Sequence, residues 1–242
     1  MKTGLVIFLC LSVFTTTGQD TTYYDASGEE VGSLGMYDTY VIIERDPIDT
    51  NKVCSRIYFK SGQPKLDINY YPYHEEKLHG KLKGWYESGE IRKIIDYENG
   101  KLNGQFLTYW RNGQLKRQDI YVSGRLSEGA VWDSAGSKVH YYDYEIMPQF
   151  PGGEKKLFKH LHKNIRYPKR SKNKGIQGKV VVRFDIEEDG SLSNIRVIES
   201  VNDELDAEAV RVITIMPQWE PGKQDGENVR VIYNLPIRFT LN

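Results

Sequence analysis

The sequence predicts two structural regions in series: an all-β array of hairpin repeats, then an α+β domain with two helices on a small antiparallel sheet. Three observations lead there. A signature of aromatic, polar and glycine residues recurs four times between residues 50 and 143, which marks the repetition of one supersecondary unit. From residue 144 that recurrence stops, and runs with helical and strand periods follow one another instead. The chain then closes on an alternating apolar run interrupted by Pro236, which confines that residue to a sheet edge or a bulge.

At the N-terminus, one positive charge at Lys2 precedes ten apolar or small residues, Leu5 to Phe14, and the polar run Thr15 to Asp20 ends the segment. A membrane-spanning helix needs roughly 20 apolar residues, so the pattern reads as an export signal over 1–18, cleaved before Gln19. An uncleaved inner-membrane anchor is the alternative. Removal of the signal takes Cys10 with it and leaves Cys54, so no internal disulfide is expected, and Cys54 reads as a small buried hydrophobe. Lys+Arg and Asp+Glu are equal at 33 each, which argues against a nucleic-acid partner. His74, His79, His140, His160 and His162 show no metal-ligand spacing, and neither a metal nor another cofactor is expected.

After a lead-in over 19–49, the repeat signature appears as Tyr58-Phe59-Lys60-Ser61-Gly62, Trp85-Tyr86-Glu87-Ser88-Gly89, Tyr109-Trp110-Arg111-Asn112-Gly113 and Val131-Trp132-Asp133-Ser134-Ala135-Gly136. A second glycine signal lies between these, at Gly80 to Gly84, Gly100 to Gly104 and Gly124 to Gly129. Two turn signals per unit define one hairpin per repeat. A lone hairpin cannot bury its apolar face, so the units must stack, with aromatic rings covering one another along one face and glycines supplying positive φ at the turns.

In the second region, over 144–242, Leu157, Phe158, Leu161 and Ile165 share one helical face, and Tyr167-Pro168 ends that helix. Val180, Val182, Phe184 and Ile186 alternate along a strand that turns at Asp189-Gly190 into a second strand near Ile195 to Ile198. Asn202 opens a second helix whose acidic first turn suits the positive helix end, with Leu205, Ala209, Val212, Ile213 and Met216 as its buried stripe. Pro217 stops it, and Trp219 is expected to fold back as a lid on the core. Pro221-Gly222 and Asp225-Gly226 read as a surface loop, after which one strand is expected to run from Val229 onward.

The repeats resemble MORN-like units. Residues 144–242 resemble the C-terminal domain of TonB-type energy transducers, through Pro148-Gln149-Phe150-Pro151-Gly152-Gly153, Tyr167-Pro168, Gly178 to Phe184, Leu205 to Ala209, Met216 to Gly222 and Leu235 to Phe239. That resemblance implies a periplasmic domain that grips a short peptide of an outer-membrane receptor, the TonB box, as a strand added beside its last strand. It places partner contacts at Asn164, Arg166, Tyr167, Val229, Arg230, Val231, Ile232 and Tyr233. The chain departs from the best-known transducers in offering a signal and a repeat array where those have a membrane helix and a Pro-rich spacer. It also reads Asn164-Ile165-Arg166 where they carry Gln-Pro.

Two functions follow as expectations. In the first, the protein works in, or accessory to, energy-dependent transport through TonB-dependent receptors. In the second, it is an envelope scaffold whose repeat sheet and edge strand hold other envelope proteins. An enzyme is not expected, since no nucleophile elbow or phosphate loop is present and the paired acids Glu187-Glu188 sit at a hairpin turn. Oligomeric state is not legible from the sequence.

Overall fold

The computed structural model describes residues 21–26, 28–31 and 37–241. The expected signal segment, its cleavage point and Cys10 lie outside them. The chain divides into two compact units, with the boundary between Tyr141 and Tyr142.

The first unit is one antiparallel sheet of ten strands in simple sequence order. They are β1 (Thr21–Tyr24), β2 (Thr39–Arg45), β3 (Val53–Phe59), β4 (Pro64–Tyr70), β5 (Gly80–Trp85), β6 (Ile91–Glu98), β7 (Lys101–Tyr109), β8 (Leu115–Val122), β9 (Arg125–Trp132) and β10 (Lys138–Val139). The sheet thus reaches ahead of residue 50, through the alternating Tyr40-Val41-Ile42-Ile43 of β2.

One turn is repeated along one rim. The N–H groups of Phe59, Tyr86, Trp110 and Asp133 each donate to the carbonyl four residues on, at 2.8 to 2.9 Å, and the N–H groups of Gly62, Gly89, Gly113 and Gly136 donate back. These glycines have φ between 81° and 101°, as a three-residue hairpin with a glycine bulge requires. On the opposite rim, Asn99-Gly100 and Ser123-Gly124 have positive φ at both residues. They form the two-residue turns whose twist matches that of the strands.

The aromatic side chains cover one another in part, as expected: Tyr23, Tyr37, Tyr40 and Tyr58 lie at ring separations of 4.8 to 6.2 Å, and Phe106 and Tyr121 at 6.1 Å. Tyr40 and Tyr58 stack at 5.0 Å, but Tyr86 donates its hydroxyl to the Tyr109 carbonyl (2.8 Å) and Trp110 donates its ring N–H to the Trp132 carbonyl (3.1 Å). Each thereby ties its own turn to the next one. Cations cover the rings instead: Lys65 over Phe59, Arg92 over Tyr86 and Lys116 over Trp110, each six residues after its ring. The reason is position, because these aromatics stand at the strand ends, where a neighbouring carbonyl and a long basic side chain are the nearest partners.

The middle of the sheet buries Leu82, Ile95, Phe106 and Asp119, which oppose one another on successive strands. Arg117 and Asp119 are fully buried and joined at 2.9 Å. The chain after β10 folds back over them, so that Tyr141 donates its hydroxyl to Asp119 (3.2 Å) under the Arg117 guanidinium. Burial and then the Asp119 charge push the Tyr141 hydroxyl up to about 12. Gly129 has to be glycine here, since a Cβ would stand 2.4 Å from the Tyr141 ring.

The second unit holds α1 (Glu154–Asn164), α2 (Lys169–Asn173), β12 (Gly178–Ile186), β13 (Leu192–Glu199), α3 (Asp203–Thr214) and β16 (Val231–Phe239), with the short strands β11 (Glu145–Ile146), β14 (Gly222–Gln224) and β15 (Glu227–Val229). Three helices replace the two expected. The extra one, α2, is a single turn over the basic run that follows Pro168, and its Ser171 N–H and hydroxyl are held by Glu204.

α3 begins as expected, with the Asn202 side chain accepting from the Leu205 N–H at 2.9 Å. Its stripe Leu205, Ala209, Val212 and Ile213 is fully buried against Val180, Val182, Phe184 and Ile186 of β12. Trp219 is the lid, buried between Phe150, Phe184 and Tyr233 at ring separations of 5.2 to 5.9 Å. Phe158 departs from expectation at 59 % exposed, because the face that α1 presents to the core is centred on Leu157 and Leu161 and Phe158 lies to one side of it.

Candidate peptide-docking edge

The main sheet of the second unit has the order β13-β12-β16, so β12 is central and β16 is an edge. β16 alternates cleanly: Leu235, Ile237 and Phe239 are buried, while Ile232, Asn234, Pro236 and Arg238 are exposed. Residues from Val231 to Phe239 pair one to one with Ile186 to Gly178, without a bulge. Pro236, which has no N–H to donate, is accommodated because one side of this strand has no ladder to supply.

The other outer strands of both units are different. β1 has four residues, β15 three, and β10 and β11 two each. β13 is longer, but its pairing with β12 carries two irregularities, and Asn194 within it has φ 49°. Among the described residues, β16 is therefore the one long, regular edge, and it presents a row of backbone donors and acceptors in an extended line.

The residues expected at the docking site fall into three places. Val231, Ile232 and Tyr233 open β16, and Ile232 is 56 % exposed. Val229 is not on this strand. It ends β15, opposite Gly222, because Asp225-Gly226 forms a two-residue hairpin turn with positive φ at both positions where a surface loop was expected. Arg230 is the joint between the two ladders, with its guanidinium 3.8 Å from Asp185.

Asn164, Arg166 and Tyr167 lie elsewhere. Tyr167 packs edge-on to Phe239 at 5.8 Å and donates its hydroxyl to the Ile176 carbonyl. Phe239 is six residues from Tyr233, about 20 Å along an extended strand. The two groups thus mark opposite ends of β16. Asn164 and Arg166 take part in a tie between α1 and α3: Arg211 donates to the Asn164 carbonyl at 2.7 Å and to both oxygens of Glu208, while the Arg166 N–H donates to Glu208 at 2.6 Å. Burial alone would raise the Glu208 carboxyl, but the bonds from Arg211 and the Arg166 N–H outweigh it and hold the pKa below the usual value. The backbone of this loop is thereby committed to the fold, and the Arg166 side chain remains exposed.

The solvent face of the sheet carries a feature not singled out from the sequence. Arg196 on β13, Arg183 on β12 and Asn234 on β16 form one cross-strand row, and the Arg183 Nε donates to the Asn234 side-chain oxygen at 3.0 Å. The signal was present in the outward positions of each alternating strand, where Arg183 and Arg238 stand.

The chain is therefore a repeat sheet with short ends followed by an α+β unit with one long open edge. Comparison with known families agrees: residues 163–241 match the model described as Gram-negative bacterial TonB protein C-terminal, and residues 78–99 and 102–123 match the MORN repeat variant. The chain is thus similar to the MORN repeat variant over residues 78–123 and to the TonB C-terminal domain over residues 163–241. Among solved structures, it is similar to two NMR solution structures of the Helicobacter pylori TonB-CTD. One, of residues 179–285, is 29% identical, with 36% of this chain and 79% of that one covered and a TM-score of 0.30. The other, of residues 194–285, is 27% identical, with 36% and 90% covered and a TM-score of 0.29. No curated protein matches the chain.

Proposed function

We propose that this is an exported, periplasmic TonB-like protein that takes up an extended segment of an outer-membrane receptor as a further strand against β16. Its work is in, or accessory to, energy-dependent transport across that membrane. The observation that carries the reading is the long, regular, one-sided pairing of β16 beside edges that are all short or bulged. The match of residues 163–241 to the TonB C-terminal model supports it.

Backbone pairing sets the affinity. Each ladder hydrogen bond contributes about 0.5–1.5 kcal/mol net, so four or five of them with side-chain contacts give dissociation constants near the micromolar range. Ile232→Pro removes a donor from β16 and bends it, and peptide capture should be lost. Ile232→Thr keeps the backbone groups and should bind like the parent. Titration of both variants with receptor-derived peptides, with circular dichroism to check folding, decides between them. A photoreactive residue at position 232 of the unaltered chain should in addition crosslink the peptide. Unchanged binding by folded Ile232→Pro, or no crosslink, would remove β16 as the docking edge.

A further inference from the structure

The chemistry of the incoming strand can be taken further on the assumption that β16 is the docking edge. The solvent face of the sheet carries five cations, Lys179, Arg183, Arg196, Arg230 and Arg238, and three acids, Asp185, Glu187 and Glu199. All three acids are already engaged, Glu199 with Lys179 at 2.7 Å, Asp185 with Arg230 at 3.8 Å and Glu187 with the Ser193 hydroxyl. Among the described residues no carboxylate pairs with Arg183, Arg196 or Arg238. Moreover, Arg183 and Arg196 stand directly opposite each other, an arrangement of like charges that is unfavourable until an anion joins the row.

The side chain of Arg183 leans toward the open edge, since its Nε reaches Asn234 on β16. A strand added beside β16 would place one residue next to Asn234 at the end of the row Arg196, Arg183, Asn234, and another next to Arg238, four positions along. Side chains opposite these positions share the solvent face, because the period of a strand is two. The remaining outward neighbours, Ile232 and Pro236, are apolar.

We propose that the peptide bound at β16 carries two acidic residues four apart, one facing Asn234 with Arg183 behind it and one facing Arg238. An apolar residue faces Ile232. The backbone ladder holds the strand, and the carboxylates select which strand and which register are held. Without the acids, slippage by two residues would leave the ladder intact; with them, a slip separates both carboxylates from their guanidinium groups.

The test uses the full chain and two synthetic nine-residue peptides of Val and Thr that differ only at those two positions, Asp in one and Asn in the other. At low salt the Asp peptide should bind about tenfold tighter, from a gain of a few-fold per exposed pair. The advantage should fade by about 0.5 M salt, where charges beyond a few ångströms are screened. The double variant Arg183→Gln, Arg238→Gln should bind the two peptides equally, and Lys223→Gln, on the small second sheet, should leave the difference between them as in the parent. Equal binding of the two peptides by the parent would overturn the acidic preference and leave edge docking standing. If neither peptide binds and position 232 crosslinks nothing, the docking edge itself is wrong and the acidic preference falls with it.

Discussion

The two sheets begin from the same turn and end in opposite ways. In the repeat sheet, the glycine-bulge turn closes at Gly62, Gly89, Gly113 and Gly136, and the same pair of hydrogen bonds recurs in the second unit, from Glu187 to Ser191 and from Gly190 back to Glu187. Yet the repeat sheet tapers to outer strands of four and two residues, with the following chain folded back over its last strands through Tyr141. The main sheet of the second unit stops at nine fully paired residues, with no further strand paired beyond them among the described residues. A sheet edge left long and regular invites another strand, and folds that need none shorten, bulge or cover it. The contrast within one chain is what supports β16 as the proposed docking edge.

The shared turn gives the largest test of that comparison. A Cβ on Gly113 would meet nothing within 4 Å, whereas one on Gly190 would stand 1.9 Å from the Trp219 carbonyl oxygen, which also accepts no slack because the Trp219 N–H is bonded to the Gly190 carbonyl. Both glycines have φ above 80°. Gly113→Ala should therefore cost only the left-handed backbone, about 1–2 kcal/mol, while Gly190→Ala adds a clash with rigid backbone and should cost more than about 4 kcal/mol. Denaturant unfolding of each variant measures both. Equal costs would show that the two turns are equivalent and that Trp219 does not lean on Gly190.

Removing the lid itself comes next. Trp219→Ala should destabilise the second unit by about 3–5 kcal/mol, the range for a large buried aromatic, and leave the unfolding of the repeat sheet unchanged. A calorimetric scan should resolve that difference, with the loss confined to one transition. A shift of both transitions would mean that the units unfold together.

Much of this contrast was readable in advance, for physical reasons that differ by residue. The repeat period was legible because a glycine-bulge turn needs positive φ at a fixed place. The lid was legible because Pro217 must end a helix just before an aromatic that needs burial. β16 was legible as an edge through Pro236. Its starting point was not: Val229 and Val231 continue a period of two across Arg230, so the step from one ladder to another leaves no mark in the alternation. The roles of Tyr141 and of the Arg183-Arg196 row were hidden for another reason. They depend on which strands become neighbours, and that is settled only by the assembled sheet.

The smallest expected effect concerns a cation that the repeat sheet tolerates, in contrast to the exposed cations beside β16. The stem of Lys93 lies across Gly84, close enough that a Cβ there would be 3.0 Å from its Cγ. Burial, helped by the charge of Arg92, pushes its pKa down to about 8 from an ordinary 10.5. The folded state then binds the Lys93 proton more weakly than the unfolded state does, so the unfolded chain holds more protons between these two values and stability rises with pH across that window. At pH 7 the ammonium is charged in both states and its full cost is present. Lys93→Met should accordingly stabilise the repeat sheet at pH 7 by about 1–2 kcal/mol, less than the shift alone would give because the end of the side chain stays partly wet. Near pH 10 the parent has shed the proton in the folded state, and the advantage of Met should shrink toward zero. Thermal scans of both proteins at the two pH values measure this difference. A gain of the same size at both would trace it to packing over Gly84, and no gain at pH 7 would show that the ammonium reaches water as freely as the arginines on the open sheet.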